Sequence, residues 1–287
     1  MSLFNTISAF CGSSIGKKIL VAVSGLVLLL FLAGHLAGNL LIYAGPEAIN
    51  DYAEMLKTLL HGTFIWIARF GLLLALVVHV WFTISLTMEN RKARQHYAHP
   101  NTVQATLASR TMIFTGLVIF SFVIYHLLHF TVQVAPKSYQ DMTEITADGY
   151  ERHNVYEMVY AGFSNPLISG FYILSMALLC AHLSHGFASV FQTFGLRSES
   201  TKGLFKFIGV AYALVIFVGN ISIPISVMAN VVPPYEEAKA LHMKQGKHGP
   251  PTSEADNPSA PPSPEPDTAE PESATPAQPE TESGNPS

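Results

Sequence analysis

The sequence predicts an all-α membrane protein, a bundle of five transmembrane helices followed by a disordered carboxyl-terminal tail. Three observations carry this expectation. The 287 residues are 49% apolar and only 13% charged, too greasy on average for a soluble domain of this length. Five stretches, 18–43, 62–88, 110–136, 166–192 and 204–232, are long enough to cross a bilayer as helices, and none contains Asp or Glu. Barrel strands need only about ten alternating residues per crossing, so apolar runs of this length satisfy their backbone as helix. Beyond about residue 250 the chain is almost entirely Pro, small and polar residues, which cannot offset the entropy of ordering. The expected organisation is an amino-terminal segment over 1–17, the five-helix domain over 18–232 and a tail over 233–287.

The opening residues are mildly polar. The first apolar run is too long for a signal h-region and lacks a small-x-small cleavage site, so it is expected to be retained. Cys11 and Cys180 are the only cysteines, too few for a disulfide framework or a Cys-based metal site. The net charge of −4 says little, because the acids gather in loops and tail, and no basic patch of the nucleic-acid kind exists.

Basic residues sort by loop. Lys17 and Lys18 precede the first span, Arg91, Lys92, Arg94 and Arg110 lie between the second and third, and Arg197, Lys202 and Lys206 between the fourth and fifth. The alternate loops carry Glu47, Asp51 and Glu54, then Asp141, Glu144, Asp148, Glu151 and Glu157. The positive-inside rule places the amino terminus in the cytoplasm and the carboxyl terminus outside. In the first outer loop, Ile49, Tyr52, Ala53 and Leu56 have helical spacing, which predicts a short amphipathic surface helix over residues 46–57. The second outer loop, 137–165, is polar and aromatic and reads as a connector or a lid. In the fifth span Pro224 removes one helical hydrogen bond, predicting a kink near Asn220; lacking histidine, this span reads as a packing helix.

The other four spans each hold a histidine deep inside, His35, His79, His126 and His182. Intramembrane His is rare and expensive, and marks a functional site by default. His35 and His79 lie seventeen residues past the start of their runs, His126 and His182 sixteen. At ~1.5 Å per residue each is ~24–26 Å from the face where its helix begins. Successive helices alternate in direction, so His35 and His126 share an outer level and His79 and His182 an inner one, with ~10 Å between them. Two imidazole pairs across a helical bundle, without Cys, Asp or Glu nearby, suit bis-His ligation of haem iron rather than zinc. Two stacked haem b groups are expected, uncoupled from covalent attachment because no C-x-x-C-H occurs. A proton-relay transporter would ordinarily add intramembrane carboxylates. His129 and His185 each follow a proposed ligand by three residues on the same helix face, and the spacing alone admits them instead. Arg69, ~10 Å from the outer face, is placed to hold a haem propionate or to snorkel to headgroups. Arg110 is likewise placed to serve the inner haem or to anchor the interface.

The runs FLAGHLAGN, LVVHVWFTISL, FVIYHLLH and GFYILSMALLCAHLSHG resemble the ligand segments of the five-helix, two-haem cytochrome b subunit of succinate:quinone oxidoreductases, shared by succinate dehydrogenase and fumarate reductase. The resemblance covers about residues 15–232 and leaves out the tail. It implies that His79 and His182 bind the haem nearer the cytoplasmic flavoprotein and iron–sulfur subunits, that His35 and His126 bind the distal haem, and that His126 and His182 are preferred over His129 and His185. It implies a bacterial cytoplasmic-membrane anchor passing electrons to a quinone, with no dicarboxylate chemistry of its own, since the chain has no flavin or Fe–S motif. A quinol-oxidising dihaem cytochrome b of another respiratory complex is expected to crowd its ligands onto fewer helices. For the quinone, Asn39, Tyr43, His61, Arg69 and His129 gather on the outer side, while Ser24, Arg110 and His185 lie on the inner side. Two haems make sense if electrons must reach the far face, which favours the outer set.

Overall fold

In the computed structural model, residues 2–93, 107–134, 136–146 and 148–246 are described, without the side chains of 107–110, 137, 245 and 246. Arg94, the Arg110 side chain and everything after Gly246 therefore lie outside the described residues. The long apolar runs are helical, and five helices are long and apolar enough to cross a membrane. Helix α1 (Leu3–Gly12) precedes α2 (Ser14–Asn39), which continues as a 3-10 turn over Leu40–Ala44. Next come α3 (Pro46–Thr58), α4 (Thr63–Ala93) and α5 (Leu107–His126), the last extended by a π turn over Leu127–Thr131. After a 3-10 turn at Lys137–Asp141, strands β1 (Thr143–Ile145) and β2 (Glu151–His153) pair antiparallel. Helices α6 (Val155–Phe163), α7 (Pro166–Thr193), α8 (Lys202–Met228) and α9 (Tyr235–Gly246) complete the described chain.

The first and fourth spans start at side chains that take up free backbone N–H groups. Ser13 Oγ accepts from Gly16 N at 3.0 Å, and Asn165 Oδ1 accepts from Leu167 N at 2.9 Å with Pro166 in the first turn. The third span ends at Thr131, earlier than residue 136, because the chain turns left-handed at Gln133 (φ 57°). The Gln133 amide is drawn to His153 Nε2 and Met158 Sδ, each at 3.0 Å. Helix α8 runs unbroken through the buried Pro224 and packs mainly on α7.

The helix expected over residues 46–57 is α3. Together with the hairpin, α6 and α9 it builds a cap over one end of the bundle, the end at which α2 and α5 finish and α4 and α7 begin. Loop 137–165 is thus more than a connector. The hairpin closes through Asp148-Gly149, where Gly149 takes φ +82°. Arg152 Nε reaches Glu144 across the strands at 2.6 Å and its Nη1 reaches Asp51 of α3 at 2.5 Å. Burial opposes the Arg152 charge, but its bonds to Asp51 and Glu144 raise it above the usual guanidinium range. Asn50 Nδ2 donates to Asn154 Oδ1 at 3.1 Å, and Asn50 Oδ1 accepts from Tyr156 N at 3.0 Å, so two fully buried amides lock α3 to α6.

The expected tail begins too early at residue 233. Residues 235–246 are the helix α9, held because Tyr235 Oη donates to Glu144 at 2.6 Å, Ala238 is buried, and the His242 ring lies over Gly45. Gly45 has φ +104° and no room for a β-carbon, so glycine is required there twice over. Tyr156 Oη donates to the Pro233 carbonyl at 2.8 Å, and burial pushes that hydroxyl up to about 12.

At the opposite, basic end, Lys17 and Glu89 form an ion pair between the start of α2 and the end of α4. Replacing Arg152 by Met leaves Glu144 buried with only the Tyr235 hydroxyl, and removing one partner of a buried pair costs about 3–5 kcal/mol. The largely exposed Asp51 should contribute under ~1 kcal/mol when changed to Asn. Hydrogen exchange of the hairpin and α3 amides measures both; equal protection in the two variants would contradict this ranking.

Candidate functional site

The four helices that carry His35, His79, His126 and His182 form a ring. Helix α4 packs on α2, α2 on α7 and α7 on α5, while α4 and α5 meet only sparsely. Helices α2 and α5 therefore stand on one diagonal of the ring, and α4 and α7 on the other. Each histidine pair spans a diagonal.

At the capped end, His35 and His126 face each other with ring centroids 5.8 Å apart and planes at 86°. His35 stacks on Phe31 at 5.2 Å and makes no hydrogen bond among the described residues. His126 sits among Phe122, Phe130 and Tyr172, with its Nδ1 3.4 Å from Tyr172 Oη. Its neighbour on the chain is the π turn, closed by Val132 N donating to the Leu127 carbonyl at 2.8 Å. Such single-turn insertions recur at functional sites because they re-aim side chains without ending the helix.

The second pair lies toward the basic end. His79 Nδ1 donates to the Val21 carbonyl at 3.2 Å, with Ser24 Oγ at 3.4 Å. His182 Nδ1 lies 3.3 Å from Thr115 Oγ1, whose own proton goes to the Met112 carbonyl at 3.1 Å, so the ring nitrogen donates to the hydroxyl oxygen. Both rings thus have Nδ1 tied to a neighbouring helix, which leaves Nε2 free to coordinate. Two glycines make the approach possible. A β-carbon on Gly25 would stand 3.2 Å from His79 Cε1, and one on Gly116 would stand 3.3 Å from His182 Cε1.

The levels are further apart than the expected ~10 Å. His79 contacts α2 at Ser24 and Gly25, ten or eleven residues before His35, and His182 contacts α5 at Thr115 and Gly116, ten or eleven before His126. That is ~15 Å along each helix.

His129 is 4% exposed and has both ring nitrogens occupied, Nδ1 by Tyr172 Oη at 2.9 Å and Nε2 by Tyr139 Oη at 3.4 Å. Of the two candidates on that helix, only His126 faces His35, and His129 has no free nitrogen for a quinone carbonyl. His185 is half-buried toward the basic end and feels the charge of Arg197. Arg69 lies on the exposed side of α4 with its guanidinium carbon 5.2 Å above the Trp66 ring. It makes no hydrogen bond or ion pair among the described residues, and this is the arrangement of an interfacial anchor. Tyr43 Oη is bonded to Ser222 and Ser226 at 2.9 and 3.0 Å, while His61 is exposed with φ 53°.

Tyr172 is the residue that sequence reasoning missed. Its ten-residue lead on His182 equals the offset between levels, so a polar aromatic at that position had to fall beside the other pair. Comparison with protein-family models, with curated proteins and with solved structures gives no match. Changing Gly25 to Val should force the His79 ring off Val21; overpacking of this kind costs about 1–3 kcal/mol, read as a lower unfolding midpoint in detergent. An unchanged midpoint would place the ring elsewhere.

Proposed function

We propose that the chain is the membrane-anchor cytochrome b subunit of a succinate:quinone oxidoreductase, carrying electrons between a soluble flavoprotein and iron–sulfur pair and a membrane quinone. The observation that carries this reading is the pairing of four intramembrane histidines across both diagonals of one helix ring at two levels. Metal–nitrogen bonds of ~2 Å on each side of a shared ion put two imidazole centroids about 6 Å apart. The 5.8 Å of His35 and His126 fits that separation. Among the described residues no group of three or more His, Cys, Asp or Glu comes together. A metal between such a pair therefore takes its remaining donors from the group that brings it, as the iron of a porphyrin does.

Two b haems would supply reversible one-electron transfer when bound. The chain's own contribution is to hold, orient and insulate. His35 with His126 and His79 with His182 would offer the nitrogens that hold the iron. The Val21 carbonyl and the Thr115 hydroxyl keep the proton on Nδ1 of His79 and His182 and leave Nε2 free to coordinate. Gly25 and Gly116 let the rings sit against backbone, and the apolar walls of α2, α4, α5 and α7 exclude water. Two levels ~15 Å apart give the electron a stepping distance along the bundle.

Lys17, Arg91, Lys92, Arg197, Lys202 and Lys206 gather at one end. We assign that end to the cytoplasmic face of a bacterial cytoplasmic membrane, with the amino terminus inside and the carboxyl terminus outside. The His79–His182 pair is the nearer to this face and so the first to receive electrons from the iron–sulfur subunit. Replacing each histidine with a non-ligand tests the assignment through reduced-minus-oxidised optical spectra. The His79 and His182 variants should lose the same haem, and the His35 and His126 variants the other. Losses that pair His35 with His79 would overturn it.

A further inference from the structure

The His35–His126 level holds a buried polar chain with no counterpart at the other level among the described residues. Tyr139, His129 and Tyr172 are each at most 6% exposed, and they run in sequence from the cap to His126: Tyr139 Oη to His129 Nε2 at 3.4 Å, His129 Nδ1 to Tyr172 Oη at 2.9 Å, Tyr172 Oη to His126 Nδ1 at 3.4 Å. The short central bond anchors the chain, and the two long ones are the ends it steers. The π turn sets His129 between the two phenols. Gly162 of α6 leaves the space for this cluster, since a β-carbon there would lie 2.7 Å from Phe130 Cζ and 3.3 Å from Tyr139 Oη.

With His126 Nε2 committed to a metal, its ring proton is on Nδ1 and is donated to the Tyr172 oxygen. The Tyr172 proton then goes to His129 Nδ1, and His129 Nε2–H goes to the Tyr139 oxygen. Tyr172 and His129 each give one proton and accept one, so a single tautomer assignment orders all three bonds.

We propose that Tyr172, backed by His129 and Tyr139, is a positioning residue that fixes the plane of the His126 imidazole nearly perpendicular to that of His35. This rests on the dihaem reading. His79 uses a backbone carbonyl and His182 a threonine hydroxyl for the same purpose, whereas His126 depends on a phenol that is itself held by a second histidine. The relative orientation of two axial imidazole planes governs the g-values of a low-spin ferric haem, so the readout is electron paramagnetic resonance of the oxidised, purified full chain.

Tyr172→Phe should shift the low-spin signal of one haem and leave the second unmoved, with haem content equal to wild type. Tyr125→Phe is the control, because the Tyr125 ring packs on His129 and Tyr172 but its hydroxyl bonds neither. It should leave both signals in place. His129→Gln retains Tyr172 and should shift the same signal by less; it supplies the reading if Tyr172→Phe does not retain both haems. Unchanged signals in a variant of Tyr172 or His129 that keeps both haems overturn the positioning role, as does an equal shift in Tyr125→Phe. A wild-type chain without haem overturns the dihaem reading instead, and this inference with it.

Discussion

An imidazole buried in an apolar bundle must satisfy two ring nitrogens, and the arrangement of this protein follows from how that constraint is met at His79, His126 and His182. His79 gives Nδ1 to the Val21 carbonyl and His182 gives Nδ1 to the Thr115 hydroxyl, each on the helix beside it. A helix carbonyl is already used by its own ladder, so the second bond requires the ring to come very close. Gly25 and Gly116 stand where it does. His126 instead turns to a phenol, and the phenol to a second histidine, at a turn where the helix is locally re-wound. His35 has only ring contacts with Phe31 and His126.

Placing both pairs on diagonals keeps the four helices from closing on one another. The sparse meeting of α4 and α5 must be offset elsewhere, and α8 does so from outside the ring by packing along α7, with Tyr212 Oη donating to the Leu29 carbonyl of α2 at 2.6 Å. At one end the Lys17–Glu89 pair joins α2 to α4. At the other the cap ties α3, the hairpin, α6 and α9 through Arg152, Glu144 and the Asn50–Asn154 bond. The ring is thus fastened at its ends and along its outer side, and its middle is left to the histidines.

The spans were legible because run length is a local quantity, and so was the placing of one deep histidine in each of four of them. The spacing of the levels was less so. Counting from the first residue of each apolar run assumes that the helices begin in one plane, yet α2 starts at Ser14 and the third span stops at Thr131. Nothing local distinguishes His126 from His129 either, since the tyrosines that occupy His129 come from residues 139 and 172. Of the cap, α3 was legible from its helical spacing and the rest was not, for the same reason. Its strands and α9 are short and polar, and they are held by partners such as Glu144 and Tyr235, 91 positions apart. Composition read them as loop and tail.

The central claim is that each diagonal pair is one ligand set, and haem stoichiometry tests it most directly. A pyridine haemochrome assay on the purified chain, normalised to protein, should give two b-type haems per chain, both low-spin in the optical spectrum. One haem per chain, or none, would contradict the account, because the helix ring offers two pairs of equal standing and no reason for either to remain unused.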